Sequence, residues 1–172
     1  MGLSEKMMEA AMIHKIHRKL FIAVPLGLIV FGCGEGAIGK EAINEKGALS
    51  CVTDKWDEKQ LEKGHKLAEW VGRCVNVRDD PAHSNSTEEC TGKYEYMPDQ
   101  SWKGSGTCTF NFAGGDKMYD AWEEGSHLNP SVYNITGGTG KYQGASGGGT
   151  YTCDTLTETL CGGRFEGKIQ LP

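Results

Sequence analysis

From residue 65 onward, the chain alternates between two classes of side chain with a period of two, which is typical of β-strands. The clearest runs cover residues 65–77 and 102–112. Further strands are expected over 91–97, 117–124, 131–136, 147–153 and 164–171. Turn-forming residues separate the runs, among them Asp79-Asp80-Pro81, Pro98-Asp99-Gln100 and Ala113-Gly114-Gly115-Asp116. Short strands with regular turn signals and almost no helical periodicity predict an all-β sandwich or barrel.

The chain before residue 65 is less regular. Residues 48–52 are a candidate first strand, and residues 53–63, rich in Asp, Glu and Lys, are expected to form a loop or a short exposed helical turn. Residues 33–47 are polar and contain glycine, which favours a tether. The pattern therefore predicts a segment 1–32, a tether 33–47 and a β domain 48–172.

The first 32 residues have the layout of a signal peptide. A basic stretch, 14–19, precedes 13 residues without a charge, 20–32. A membrane-spanning helix needs ~20 apolar residues, so this run is short for one. The prediction is an N-terminal signal or anchor helix, with export to the cell envelope or the exterior.

Val30-Phe31-Gly32-Cys33 resembles the lipobox of bacterial lipoproteins, in which the cysteine is lipidated and becomes the mature N-terminus. Phe31 departs from the small or aliphatic residue that is usual there. The resemblance implies lipidation of Cys33, and contact with a membrane through that anchor only. The alternative is ordinary signal-peptidase cleavage near residues 36–39.

Charge narrows the classes of partner. Residues 1–32 hold four of the 18 basic and two of the 23 acidic residues, which leaves 14 basic and 21 acidic residues and a net charge of −7. Nucleic-acid binding needs clustered Lys and Arg, so no nucleic-acid partner is expected. Electrostatic attachment to anionic lipid is disfavoured for the same reason.

Seven cysteines are an odd number for an exported chain. If Cys33 carries lipid, six remain for three disulfides: Cys51, Cys74, Cys90, Cys108, Cys153 and Cys161. Six cysteines allow 15 pairings, and the one local pair predicted is Cys153–Cys161. No two of the six have the two-to-four-residue gap of zinc sites, so no metal is expected.

Residues 135–151, ITGGTGKYQGASGGGTY, hold the densest cluster of glycines. Gly140-Lys141 suggests a phosphate loop, but Ile135 stands where the first glycine is required and Tyr142 where Ser or Thr is required. The segment instead resembles the hairpin of the allene oxide cyclase and dirigent barrel superfamily, where a strand enters Gly-Gly-Thr-Gly and an aromatic residue follows within two positions. Residues 104–112, 115–117 and 122–123 are similar to bacterial secreted members.

The resemblance covers about residues 65–171 and implies an eight-stranded antiparallel barrel with an apolar interior. Members of that superfamily bind small hydrophobic molecules without a cofactor, and either cyclise a lipid epoxide or steer radical coupling. Because folds of this kind host unrelated activities, the resemblance transfers no catalytic residue. No cofactor is expected, and the oligomeric state stays open.

Two carboxylates are weak candidates for a catalytic group. On residues 65–77 the apolar face is expected to point inward, which would bury Glu69 and Arg73 beside Leu67, Val71 and Val75. The alternative for Glu69 and Arg73 is a surface ion pair. Asp120 is the second candidate, on the face that Met118 and Trp122 share.

The candidate ligand-binding residues are Tyr94, Tyr96, Trp122, Tyr133 and Asn134. Each tyrosine and the tryptophan could present a polar tip to a ligand, although such residues more often pack a core. The leading hypothesis is an exported barrel that binds a small apolar molecule. The alternatives are a cofactor-free isomerase or cyclase and a structural or interaction domain with a filled barrel.

Overall fold

The computed structural model describes residues 41–172. The predicted signal peptide and anchor helix, and the predicted lipidation site Cys33, lie outside these residues. The elements are β1 (Ala42–Glu62), β2 (His65–Arg78), β3 (Ser86–Tyr96), β4 (Trp102–Phe112), β5 (Lys117–Gly125), β6 (Leu128–Gly138), a 3-10 helix (Gly140–Tyr142), β7 (Ser146–Tyr151), β8 (Asp154–Thr155) and β9 (Leu160–Gln170). Over residues 41–172, no helix has the length and apolarity to cross a membrane.

The strands close into a barrel. The order β1-β2-β3-β4-β5-β6-β7-β9 is antiparallel throughout, and β9 pairs back with β1 over residues 42–52. The two-residue β8 pairs only with the start of β9 and lies outside the ring. The predicted all-β class and the eight-stranded antiparallel barrel are therefore confirmed.

The first strand is much longer than the sequence pattern predicts. Residues 42–47, predicted to be tether, pair with β9, and residues 53–62, predicted to be a loop or helical turn, pair with β2. Both predictions were wrong, because strand pairing satisfies the backbone whatever the side chains are. The charged side chains of residues 54–59 are exposed on a hairpin that extends past the end of β9.

The inward face of β2 is the opposite of the predicted one. Alternate residues from Ala68 to Arg78 are buried or half-buried, whereas Leu67, Val71, Val75 and Val77 are exposed, the last two by 50%. Cys74 must point inward, because its sulfur is bonded to Cys51 on the neighbouring strand, and every second residue of β2 therefore points inward with it. A shift of one residue moves every side chain of a strand to the other face, so the predicted inward and outward residues of β2 are exchanged.

Six cysteines form three disulfides, as predicted. Cys153–Cys161 confirms the local pair, and the others are Cys51–Cys74 and Cys90–Cys108. The last two each join directly opposite residues of adjacent strands, with Cα atoms 4.0 and 4.1 Å apart. These two bridges fasten β1 to β2 and β3 to β4 from inside the barrel.

An apolar core fills one end of the barrel. Its residues are Phe110, Phe112, Met118, Ile135, Tyr142 and Ile169. Tyr142, from the 3-10 helix, stacks on Phe112 with ring centroids 4.5 Å apart. Because this end is packed, any interior site must lie toward the other end, where the β1–β2 hairpin projects.

Candidate functional site

A cavity of about 110 Å³ lies in the barrel interior. Its aromatic lining comes from Trp70, Tyr94, Phe110, Trp122, Tyr133 and Tyr151, and its acidic lining comes from Glu45, Glu88, Asp120 and Glu124. Sulfur atoms of all three disulfides border it as well. The cavity therefore combines flat apolar surfaces with groups that can exchange protons.

Trp122 forms one wall, and two glycines make room for it. A Cβ atom at Gly92 or Gly106 would lie 2.3 or 2.5 Å from Cζ2 of Trp122, closer than any contact between carbon atoms. Trp70 packs edge-on against Trp122, with centroids 5.7 Å apart. Trp122 is only 5% exposed, and its indole Nε1–H has no hydrogen-bond partner within residues 41–172. A buried donor of this kind favours an acceptor from a ligand.

Further aromatic rings continue from the cavity to the projecting hairpin. Tyr94 stacks on Tyr96, and Tyr96 stacks on Trp102, with centroids 6.4 Å apart in both pairs. Trp56 of the β1–β2 hairpin contacts Tyr94 at 5.1 Å. These four residues, here named the aromatic rim, place apolar surface beside the open end of the cavity.

One of the four acidic side chains is already neutralised. Glu45 on β1 accepts a hydrogen bond from Arg78 Nη2 at 2.9 Å and one from Tyr133 Oη at 2.7 Å. All three residues are buried. Burial raises the pKa of the Tyr133 hydroxyl, and the neighbouring Glu45 carboxylate adds to the increase, so Tyr133 remains a donor.

Within residues 41–172, no cation is hydrogen-bonded to Asp120 or Glu88, although Arg78 acts on Glu88 through space. Burial raises the pKa of Asp120 to about 8, and the Glu88 carboxyl adds to the increase. One Asp120 oxygen accepts the backbone N–H of Cys108 at 3.0 Å. Burial likewise raises the pKa of Glu88 to about 7, although a hydrogen bond from the Asn76 amide opposes it. Glu88 borders the cavity and so retains some accessible surface, but protein surrounds it on its other sides.

Glu124 is held by two tyrosines near the rim. Tyr94 and Tyr151 both donate their hydroxyls to its carboxylate, Tyr151 at 3.4 Å. Burial raises the pKa of Glu124, although these hydrogen bonds oppose it. Together, Glu88, Asp120 and Glu124 provide three proton-exchanging acids, which have the raised pKa values that are common at functional sites.

Four predicted site residues line the cavity: Asp120, Tyr94, Trp122 and Tyr133. Tyr96 lies in the aromatic rim, close to the cavity rather than in its wall.

Glu69, a candidate catalytic group, and Asn134, a candidate ligand-binding residue, do not line the cavity. Glu69 is on the outer face, where its carboxylate lies 3.8 Å from Lys93 Nζ and is 65% exposed. Its predicted ion-pair partner, Arg73, is bound instead by Asp54 of β1. Asn134 is exposed because its neighbour Tyr133 takes the inward position, and successive residues of a strand face opposite ways.

Sequence reasoning missed Glu45, Trp70, Glu88 and Glu124. Glu45 lies in the predicted tether, and Glu88 lies before the strand predicted at 91–97, whereas β3 begins at Ser86. The cysteines carried a usable signal. Inward disulfides fix the parity of their strands, and steps of two from Cys51 and Cys90 reach Glu45 and Glu88.

Two groups of side chains have metal-ligand spacing. The donor atoms of Cys51, Cys153 and Cys161 lie within 4.8 Å of one another, as do those of Cys74, Glu88 and Cys90. All five cysteines are in disulfides, which offer no thiolate to a metal. The two groups therefore do not indicate a metal site.

Comparison with protein-family models and with curated protein sequences finds no match. Solved structures with a similar fold include the pterocarpan synthase dirigent protein GePTS1, with a TM-score of 0.53 and 11% identity over 77% of this chain and 91% of that one. A second pterocarpan synthase dirigent protein, PsPTS1, has a TM-score of 0.51 and 9% identity, over 76% and 96% of the two chains.

A protein of unknown function from the DUF3224 family of Shewanella oneidensis MR-1 is also similar, with a TM-score of 0.53 and 10% identity over 77% of this chain and 98% of that one. At such low identity the likeness concerns the fold alone. It agrees with the eight-stranded barrel fold of this chain, and it assigns no site or activity.

Proposed function

We propose that this chain is an exported barrel protein that binds a small, ring-sized and mainly apolar molecule inside its barrel. The observation that carries the proposal is the cavity beside Trp122, with aromatic walls and a buried indole N–H that has no partner within residues 41–172. Voids and unpaired buried donors are each uncommon in a protein interior, and here the two occur together.

The size of the cavity limits the ligand. At about 110 Å³ it is smaller than most ligand sites, which measure ~300–1,000 Å³. It is close to the engineered cavity of ~150 Å³ that binds benzene. The enclosed part of the ligand is therefore no larger than a single ring, and a longer ligand would continue toward the aromatic rim. The Trp122 N–H would donate to an oxygen or nitrogen of the ring substituent.

Export is proposed on two grounds. Three disulfides persist only in an oxidising compartment. The sequence of residues 14–33 has the features of a lipoprotein-type signal, so we propose that Cys33 anchors the barrel to a membrane. A Cys33→Ser variant should lose incorporation of labelled fatty acid, and unchanged labelling would contradict the anchor.

Binding is tested by native mass spectrometry of the protein extracted from the envelope, followed by titration of recovered ligands against its fluorescence. The Trp122→Phe variant should bind at least about tenfold more weakly, since it leaves a ligand acceptor unpaired. Tyr119→Phe is the control, because Tyr119 lies on the outward side of β5, between the buried Met118 and Asp120, and does not line the cavity. Equal loss in both variants, or no retained or titratable ligand, would contradict the proposal.

A second candidate function is a cofactor-free isomerase. It is favoured by Asp120 and Glu88, two cavity carboxyls that titrate near neutral pH and so could donate and accept a proton at one ligand. The test is exchange of carbon-bound hydrogen in a bound ligand in deuterated water. Exchange that disappears in Asp120→Asn would support catalysis, and binding without exchange would leave a binding protein.

A further inference from the structure

We infer that the ligand is a small organic cation: a protonated amine attached to a ring and accompanied by a hydrogen-bond acceptor. The inference rests on the proposed binding function and specifies the chemical class of the ligand. It comes from the charge balance of the cavity, from the aromatic faces beside it and from the free indole donor.

The charge balance comes first. Glu88, Asp120 and Glu124 line the cavity, and within residues 41–172 no cationic side chain lines it. Arg78, a buried cation nearby, is bound by Glu45 at 2.9 Å and also lowers the pKa of Glu88 through space. Ionised carboxylates without a paired cation are costly to bury, so these three acids keep their protons to a higher pH than exposed carboxyls do. A ligand ammonium group would stabilise their ionised forms.

The aromatic walls fit the same chemistry. Trp70 and Trp122 lie at right angles with centroids 5.7 Å apart, and Tyr94 lies 5.9 Å from Trp122. All three rings line the cavity, and tryptophan is the best aromatic partner in cation–π contacts. The acids and the rings therefore favour one kind of ligand group.

The indole N–H of Trp122 specifies a second ligand group. A cation offers it no acceptor, and no acceptor within residues 41–172 meets it. A hydroxyl or ether oxygen on the same ligand would accept this bond. The combination points to a ring that carries an amine and an oxygen. An anionic ligand is disfavoured because it would meet three acids.

Protonation gives the inference a distinctive signature. Asp120 and Glu88 have pKa values of about 8 and about 7 and so are largely protonated at pH 6. A cation binds their ionised forms, so binding must release a proton to solvent, and affinity must rise from pH 6 to pH 8. A neutral ligand binds the protonated acids and has no such gain.

Other groups that face Asp120 do not reproduce this pH window. The charged and titratable groups around it are Glu45, Arg78, Glu88, Glu124, Tyr133 and Tyr151. Burial raises the pKa of both tyrosine hydroxyls, so they keep their protons throughout. Arg78 and Glu45 form a buried ion pair with each other. The window between pH 6 and pH 8 therefore belongs to the cavity carboxyls.

The test compares three probes with one ring and different charge: benzylamine, benzyl alcohol and benzoate. Calorimetry on the full-length protein at pH 6, 7 and 8, in buffers with different heats of ionisation, gives affinity and proton release together. We expect benzylamine to bind at least about tenfold more tightly than benzyl alcohol at pH 8, with up to one proton released, and benzoate not to bind.

Variants of the cavity carboxyls show which of them cause the preference for benzylamine over benzyl alcohol. Asp120→Asn and Glu88→Gln should each reduce the preference for benzylamine at least about fivefold while benzyl alcohol still binds, which also reports a folded barrel. Glu69→Gln is the matched control, since that carboxyl lies on the outer face and should change nothing.

The outcomes separate the two proposals. If benzyl alcohol binds as tightly as benzylamine, with no proton release, the inference is overturned while the binding function stands. If none of the probes binds at any pH, the inference is overturned, and the native mass spectrum of extracted protein then decides the binding function by itself. A preference for benzylamine that survives in both carboxyl variants would also overturn the inference.

Discussion

Tyr133 and Glu45 are 88 residues apart in the chain, and their side chains meet in the barrel interior, where the Tyr133 hydroxyl donates to Glu45 Oε1 at 2.7 Å. The same carboxylate accepts a hydrogen bond from Arg78 Nη2 at 2.9 Å. The three residues come from β6, β1 and β2. This contact links strands on both sides of the β9–β1 closure, so it is a direct reporter of a correctly closed barrel.

Tyr133→Phe should destabilise the barrel by about 1–3 kcal/mol, because it leaves a buried carboxylate with one partner fewer. Urea denaturation measures the change in the free energy of unfolding. Tyr119→Phe is the control, since Tyr119 is half-buried and makes no side-chain hydrogen bond within residues 41–172. A loss no larger than that of the control would show that the Tyr133 contact contributes nothing.

Arg78→Met should cost more, about 3–5 kcal/mol, because removing one partner of a buried ion pair leaves an uncompensated charge at Glu45. Arg164→Met offers the comparison, because Arg164 pairs with Asp79 at the surface. Exposed pairs contribute only about 0–1 kcal/mol. Thermal and urea unfolding of both variants give the difference, and similar losses for the two would contradict the prediction.

The free energy of unfolding should fall as pH rises from about 4 to about 8. The ordinary pKa values of Asp120 and Glu88 are 3.8 and 4.5, and burial in the folded barrel raises them to about 8 and about 7. Between those limits the folded state binds more protons than the unfolded state, so stability decreases with pH, by up to about 1.4 kcal/mol per pH unit for each proton.

Urea midpoints measured across that range test the sign. The Asp120→Asn variant, which cannot ionise, should show a shallower fall than the wild type, and Glu69→Gln should follow the wild type. A midpoint that rises steadily from pH 5 to pH 8 would contradict the assignment of these two carboxyls to the folded interior.

Gly106→Ala should disturb the wall of the cavity. The added methyl group would lie 2.1 Å from the backbone oxygen of Thr91 and 2.5 Å from Cζ2 of Trp122, so both the neighbouring strand and the indole must move. Overpacking of this kind costs about 1–3 kcal/mol. Near-ultraviolet circular dichroism of the Trp70–Trp122 pair should change.

Gly162→Ala is the control for that experiment. Its added methyl group would meet only the end of the Leu156 side chain, at 3.2 Å, and a backbone oxygen at 3.7 Å. It should leave both the spectrum and the unfolding midpoint close to those of the wild type. An unchanged spectrum in Gly106→Ala would mean that Trp122 does not depend on the glycine.

The sequence by itself determined the fold class and the covalent frame. Alternation with a period of two is a property of the backbone pleat, so the strands from residue 65 onward could be found without a structure. Six paired cysteines and the local Cys153–Cys161 bridge followed from counting and spacing. Residues 135–151 indicated the barrel.

Only the tertiary structure decided which face of each strand points inward. On β2 the outer face carries Leu67, Val71, Val75 and Val77, and polarity therefore indicated the wrong side. The interior is instead crosslinked by disulfides and lined by aromatic and acidic side chains. Because acidic residues are usually exposed, their polarity predicts the wrong face here. An alternating strand can point either of its two faces inward, and closure of the barrel selects one of them.

The sequence identified the candidate site only in part: Tyr94, Asp120, Trp122 and Tyr133 were predicted, and Glu45, Trp70, Glu88 and Glu124 were missed. Glu45, Glu88 and Asp120 come from β1, β3 and β5, and nothing in their local sequence marks them as neighbours. Burial raises the pKa values of Glu88 and Asp120, and Arg78 compensates the charge of Glu45. Both effects depend on contacts between residues that are far apart in the chain. The sequence specifies the strands, and the closed barrel alone brings these three carboxyls to one cavity.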